Sequence, residues 1–296
     1  MLAAVSFPNI SPEIFAIEVF GFNLALRWYA LSYIVGIALG WMVIAAMIRR
    51  PHLWPNDTPP LEHRHLEDLL TYIVVGVIVG GRLGFVTFYQ PAYYLQNPLE
   101  IPMIWTGGMS FHGGFIGVVL AVILFSRKHK IPLPHLSDVI ALAATPAIFL
   151  VRCANFVNGE LWGRPTDAPW GVIFPSEAAQ HCPTVAEILC ARHPSQLYEA
   201  TLEGLILGLL LLYLCVWRGA FKLPWLTTGV FLAGYGASRF LVEFFRQPDA
   251  QFRGPENPLG WALDFGSWGV TMGQLLSTPM IALGLIVIMM AKRNAP

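Results

Sequence analysis

The sequence predicts an all-α integral membrane protein, a polytopic bundle of about seven transmembrane helices with two long outer loops. Three observations carry that reading. Of 296 residues, 55% are hydrophobic and only 12% charged, with a mean hydropathy of +0.58; soluble domains carry roughly 25% charged residues. A soluble fold of this length has no means of burying so much apolar surface, so hydrocarbon must be part of its solvent. Apolar runs of spanning length also recur along the whole chain, and most of the charge falls between them.

The runs are Trp28–Ile48, Leu69–Tyr89, Met109–Phe125, Leu136–Phe156, Leu197–Trp217, Leu226–Phe245 and Val270–Ala291. Each reads as a helix, because a lone segment in hydrocarbon must satisfy its own backbone groups. Trp28, Tyr29, Tyr89, Trp217, Trp225 and Trp268 sit near the run ends, where interfacial aromatics belong. Glycines recur four apart (Gly36 and Gly40, Gly76 and Gly80, Gly113 and Gly117), a spacing that predicts close helix packing. The connections 90–110 and 157–196 are long, the second rich in Pro and Gly, and loops of that length between packed helices are usually functional or disordered. Residues 1–296 read as one transmembrane domain, without tandem repeats.

Basic residues orient the bundle. Ten (Arg49, Arg50, Arg64, Arg127, Lys128, Lys130, Arg218, Lys222, Lys292 and Arg293) fall on one side, against five (Arg27, Arg164, Arg192, Arg246 and Arg253) on the other. The richer side is expected to be cytoplasmic, which puts the N-terminus outside and the C-terminus inside. The first basic residue is Arg27, so no charged leader precedes the first span, and that span is expected to remain as an anchor. Zero net charge and the lack of a basic block argue against nucleic acid as a partner. Cys153, Cys182, Cys190 and Cys215 show no metal-ligand spacing; Cys153 and Cys215 read as apolar filler, while a Cys182–Cys190 disulfide is chemically open.

With that orientation, Arg82, Arg152, Arg239, His112, Glu199 and Glu203 all gather toward the outer leaflet. Asp138 stands apart, and Ser137-Asp138 reads as a helix cap. Charged side chains within spans normally face a bundle interior or a wet cavity. Tyr235, Arg239 and Glu243 are spaced by four, placing a phenol, a guanidinium and a carboxylate on one helix face. Arg239 and Glu243 fit a packed ion pair; arginines at headgroup depth also make a bidentate phosphate clamp. An anionic phospholipid is the phosphate most available there, so the residues point to a lipid-handling site.

Four motifs narrow the class. Phe111-His112-Gly113-Gly114 opens the third span, and the stretch from Arg152 through Asn155, Asn158, Gly159, Glu160 and Gly163 to Arg164 closes the fourth. Arg192-His193-Pro194-Ser195-Gln196-Leu197-Tyr198-Glu199 opens the fifth, and Tyr235 to Arg246 with Gln247-Pro248-Asp249 closes the sixth. In this order and spacing, from about Trp28 to the last span, the chain resembles the prolipoprotein diacylglyceryl transferases of bacterial lipoprotein maturation. The resemblance implies a multi-pass protein of the bacterial inner membrane that moves the diacylglyceryl group of phosphatidylglycerol to the lipobox cysteine of a preprolipoprotein. A thioether forms and glycerol phosphate leaves, with no metal or organic cofactor. By the same resemblance Arg152 and Arg239 match lipid-binding and essential arginines, and His112, Asn155, Glu160, Gly163, Tyr235 and Glu243 match further motif positions. His193 and Tyr29 join the expected substrate-binding set. Val151 and Ala154 stand where the family's motif usually has glycine, and Pro175–Arg192 falls outside its pattern.

The chemistry needs an ionised thiol, and a free thiol titrates near about 8.5. His112 is the expected base by residue type; His193, or the arginine field alone, are the alternatives. Two other classes compete with the transferase. A transporter or flippase wants midplane sites and an inverted repeat, whereas these charges are one-sided. An intramembrane hydrolase wants a nucleophile–base spacing that the sequence does not display.

Overall fold

The computed structural model describes residues 4–19, 22–182, 190–248, 252–254, 256–266 and 268–293; Asp249 of the sixth-span motif lies outside them. In chain order they form β1 (Val5–Ser6), β2 (Glu13–Val19), β3 (Phe22–Arg27), α1 (Trp28–Ile48), α2 (His65–Phe88), α3 (Pro91–Gln96), α4 (Phe111–His129) and α5 (Leu133–Val157). There follow β4 (Val172–Ile173), α6 (Glu177–Gln180), α7 (Ser195–Glu199), a π-helical stretch (Ala200–Ile206), α8 (Leu207–Trp217), α9 (Leu226–Val242), β5 (Trp261–Asp264), β6 (Gly269–Thr271) and α10 (Met272–Arg293). The run Ser195–Trp217 is continuous and counts as one span of 23 residues.

Six helices are long and apolar enough to cross a membrane. The seventh expected run is α9, which is helical over 17 residues. Ile34, Val75, Leu209 and Leu285 are all at least half exposed on these helices, which is stable only if hydrocarbon surrounds them. The chain is a multi-pass, mostly helical membrane protein.

The ends of the helices follow rules that hydropathy alone does not contain. Helix α1 has the expected bounds, but α2 begins four residues early, with Glu67 and Asp68 in a first turn that favours acidic groups. At α4, Ser110 caps the helix by accepting from the Gly113 N–H. That helix runs on through Arg127, Lys128 and His129 to a left-handed Lys130, since basic groups suit a helix C-terminus. The expected cap at Ser137-Asp138 is corrected: α5 starts at Leu133, so Asp138 lies inside it, fully buried.

The chain divides into two compact units, 43–140 on the one hand and 1–42 with 141–296 on the other, the divisions falling within α1 and α5. In the unit 43–140, α2 and α4 meet backbone to backbone along their glycines. A Cβ on Gly76 would lie 2.6 Å from the Gly117 carbonyl oxygen, and one on Gly84 2.6 Å from the Gly113 Cα. That is the close packing the four-residue glycine spacing predicts. Arg82 is buried and spends its guanidinium on the main-chain carbonyls of Glu100, Ile101 and Gly107, beneath the ring of Tyr94. It therefore pins the loop after α3.

In the other unit, α1 lies against α5 at Gly36 and Ala147, and α9 against α10 at Gly229 and Gly236. β2 and β3 form an antiparallel hairpin that leads into α1, with Ala16 opposite Ala25 and Glu13 opposite Arg27. β5 and β6 form a second hairpin leading into α10. The connection 157–196 has a small core of its own. Val172, Phe174 and Ala179 are buried in it, with Phe7, Phe156 and Trp162 packed against them, and β1 pairs in parallel with β4. Arg192 lies 4.0 Å over Trp162 and donates to the carbonyls of Gly163, Ala179 and His181. Cys182 and Cys190 are joined, their Cα atoms 6.0 Å apart.

Candidate active site

The fifth span begins with Pro194, which ends the preceding loop, and then turns π-helical from Ala200. Such stretches often mark functional positions. Here the helix carries Glu199 and Glu203, one at 1% and the other at 0% side-chain exposure. Carboxylates so deep in a protein survive as anions only when paired. Their partners come from the end of α5 and from α9. Arg152 Nη1 is 2.9 Å from Glu199 Oε2, and Arg152 Nη2 is 3.3 Å from Glu203 Oε2. Arg239 Nη1 lies 3.4 Å from Glu199 Oε1 and 2.7 Å from Glu243 Oε2, one turn further along its own helix. Arg246 Nε stands 3.7 Å from Glu199 Oε1.

Glu199 is thus the hub of three arginines. Glu243 is fixed from its other side by the Thr271 hydroxyl, which donates to Oε1 at 3.0 Å, and Thr271 is tied in turn to Gln274 at the start of α10. Tyr235, one turn before Arg239, hydrogen-bonds with the Arg152 guanidinium. Arg152 and Arg239 keep 20% and 16% of their side-chain surface open while the carboxylates are sealed. The result is a guanidinium array tied to sealed glutamates, with its two central arginines still partly exposed.

The other expected residues frame the array or lie elsewhere. Asn155, buried one turn after Arg152, donates to Glu160 Oε1 at 2.8 Å, and Asn158 donates to the same oxygen. Gln196 donates to the Glu160 main-chain carbonyl, so two amides hold the Glu160 carboxylate and a third holds its backbone. Gly163 sits where two strands of backbone cross: a Cβ there would meet the Phe245 and His193 carbonyl oxygens at 2.5 and 2.6 Å. Its contribution is close chain approach rather than a side-chain contact. His193 Nδ1 is 3.1 Å from the Tyr198 hydroxyl, whose oxygen also accepts from Trp170 Nε1 at 2.8 Å. Burial lowers the His193 pKa, favouring the neutral imidazole. Tyr29 pairs its hydroxyl with that of Tyr33 at 3.1 Å and lies in the field of Glu160 and Arg152. His112 belongs to the unit 43–140, exposed in the first turn of α4 with its ring against Phe111.

A cavity of about 290 Å³ borders this frame, lined by Glu160, Trp162, Arg246, Gln247 and Arg253 among others. Among the described residues, no three His, Cys, Asp or Glu side chains gather as a metal site. Glu199 and Arg246 fall within the fifth- and sixth-span motifs and Glu203 lies one turn beyond its motif, and the sequence alone assigns none of the three a role. The signal was there, in two intramembrane glutamates four apart at the mouth of one span.

The family described as prolipoprotein diacylglyceryl transferase matches residues 15–290, nearly the whole chain. The chain belongs to that family. It is similar to the phosphatidylglycerol–prolipoprotein diacylglyceryl transferase of Ruegeria pomeroyi, at 62% identity over 99% of both chains. The protein of the same name from Roseobacter denitrificans is 58% identical over the full length of both. That of Agrobacterium fabrum is 45% identical, covering 98% of this chain and 95% of its own. The family match takes in the whole charged array, from Arg152 to Thr271.

Proposed function

We infer that this chain is a phosphatidylglycerol–prolipoprotein diacylglyceryl transferase of the bacterial inner membrane. Full-length family membership carries the reading, and the Arg152–Arg239 array supplies its chemistry. The lipobox cysteine sulfur attacks the glycerol carbon that bears the phosphate. A C–S bond forms, the C–O bond to phosphorus breaks, and the phosphate monoester leaves with the electron pair while the thiol loses its proton. Charge then develops on the departing phosphate oxygen, where preorganised cations help most. Both ion pairs of Arg239 run through Nη1, and its Nε–Nη2 edge is the proposed fork for the phosphate. Arg152 faces the same group with Tyr235 beside it. Asn155, Glu160, Gly163, His193 and Tyr29 are proposed to shape the surrounding pocket. Mass spectrometry of a lipobox peptide incubated with the purified protein and phosphatidylglycerol tests this. A peptide heavier by one diacylglyceryl group is expected; unmodified peptide with intact or water-cleaved lipid would overturn it.

The proposed topology has the N-terminus outside and the C-terminus cytoplasmic, on ten basic residues against five. A reporter fused after Pro296 should work only if cytoplasm-active, and one that works in the periplasm would reverse the assignment.

His112 is the proposed base, on residue type and its exposed place at the start of α4. Glutamine there keeps hydrogen bonding but cannot take a proton at neutral pH. Below about 8.5 the thiolate fraction of a free cysteine rises about tenfold per pH unit. His112→Gln should therefore slow transfer strongly at neutral pH and recover part of the rate as pH rises. An unchanged neutral rate would move the role to His193 or to the arginine field.

A further inference from the structure

Within the array, Glu203 is the group the transfer chemistry leaves unused, and its surroundings are unusual. Its side chain is fully buried. One oxygen, Oε2, meets Arg152 Nη2, while the other, Oε1, has no hydrogen-bond partner among the described residues. The charged and titratable groups facing it are Arg152 from α5, Glu199 from its own helix, and Tyr235 and Arg239 from α9. Counted over the array, the arginines 152, 239 and 246 are matched by the glutamates 199, 203 and 243. Further out, Arg164 lies in the field of Glu243, and Glu160 in that of Tyr29, adding one charge of each sign. The array of contacting side chains is electrically balanced before any lipid enters; Arg253, on the wall of the neighbouring cavity, and Arg192, in its field, lie outside that array.

A phosphodiester headgroup brings one negative charge that stays ionised across neutral pH. Placed against Arg152 and Arg239, it leaves a buried excess of negative charge, which a low-dielectric interior strongly disfavours. Adding a proton to one carboxylate restores the balance. Glu199 and Glu243 each hold two or more partners, whereas Glu203 has a bare buried oxygen beside a second carboxylate, and like charges so close favour protonation of one. We propose that binding of the anionic lipid is coupled to uptake of one proton by Glu203, so that the loaded site holds a neutral carboxylic acid there. This rests on the transferase reading, which places the phosphate at the two arginines.

The sign follows from linkage. The lipid complex holds one proton more than the free protein, so affinity is greatest at low pH and is lost as pH rises, by up to about tenfold per unit. The test uses the full chain in nanodiscs of phosphatidylcholine, titrated with phosphatidylglycerol without peptide. Calorimetry in buffers of different ionisation enthalpy should report close to one proton taken up per lipid bound. Infrared difference spectra of the wild type should gain a protonated-carboxyl band on binding. Diacylglycerol, lacking the phosphate, should do neither. Glu203→Gln, a neutral isostere, should bind phosphatidylglycerol with no proton uptake and little pH dependence. Absence of uptake and band in the wild type would overturn the proposal, and so would the same uptake in Glu203→Gln or loss of lipid binding by that folded variant at every pH. The peptide assay on the same preparation separates the two readings. Lipidated peptide without proton uptake sinks only the coupling, and proton uptake without lipidated peptide sinks only the transferase.

Discussion

Alanine at Arg239 or Arg152 is expected to lower transfer by on the order of 10²-fold or more, the scale on which a single preorganised donor at a developing oxyanion acts. Alanine alone does not isolate the chemistry, because each arginine also neutralises buried carboxylates: Glu199 and Glu203 for Arg152, Glu199 and Glu243 for Arg239. Lysine does isolate it. It keeps the positive charge near the glutamates but replaces a planar fork by a compact ammonium. Lysine variants should therefore fold and bind lipid yet recover only part of the rate, with the loss in kcat rather than KM if the fork matters most as the phosphate departs. The measurement is a lipidation time course at saturating phosphatidylglycerol, beside thermal unfolding of each variant. Full activity of both lysine variants would show that point charge suffices and that bidentate recognition is the wrong account.

What could be read in the sequence, and what could not, divides along physical lines. The spans were legible because the hydrocarbon core imposes a length and forces helix on every apolar run, and α1 has the expected bounds. The glycine contacts were legible because a spacing of four keeps one helix face. Arg152, Arg239 and Glu243 were legible as a constellation because charge within a span is expensive and so placed for a reason. Non-local geometry was not. Nothing in the residues around Arg192 says that its guanidinium would hold the carbonyls of Gly163, Ala179 and His181 and give the connection 157–196 a core. The β2–β3 hairpin, which alternates weakly and has no tight-turn signature, was likewise missed. The spacing of four offered a pair between Arg239 and Glu243, but the pairing of Arg152 with Glu199 and Glu203, and of Arg239 with Glu199, joins different helices and could not be read from spacing. Those pairings matter, since a balanced array behaves differently on meeting an anion than an excess of positive charge would.

Removing the hub is expected to cost more stability than any other single change in the array. Glu199 alone touches Arg152, Arg239 and Arg246, and it is 1% exposed. Without it, three guanidiniums crowd a space with one fewer negative charge, and breaking a buried pair by removing one partner costs about 3–5 kcal/mol. Glu199→Ala should therefore lower the unfolding temperature of the detergent-purified protein by far more than experimental scatter. Glu199→Gln keeps the volume and some hydrogen bonding but loses the charge, so it should fall between alanine and the wild type. Glu62 gives the contrast. Its pair with Arg64 has similar geometry, at 3.0 Å, but both side chains are at least 65% exposed. Surface pairs contribute roughly 0–1 kcal/mol, and Glu62→Ala should leave the transition almost unmoved. If Glu199→Ala and Glu62→Ala unfold at the same temperature as the wild type, the glutamates do not hold the array, and helix packing must hold the guanidinium fork instead.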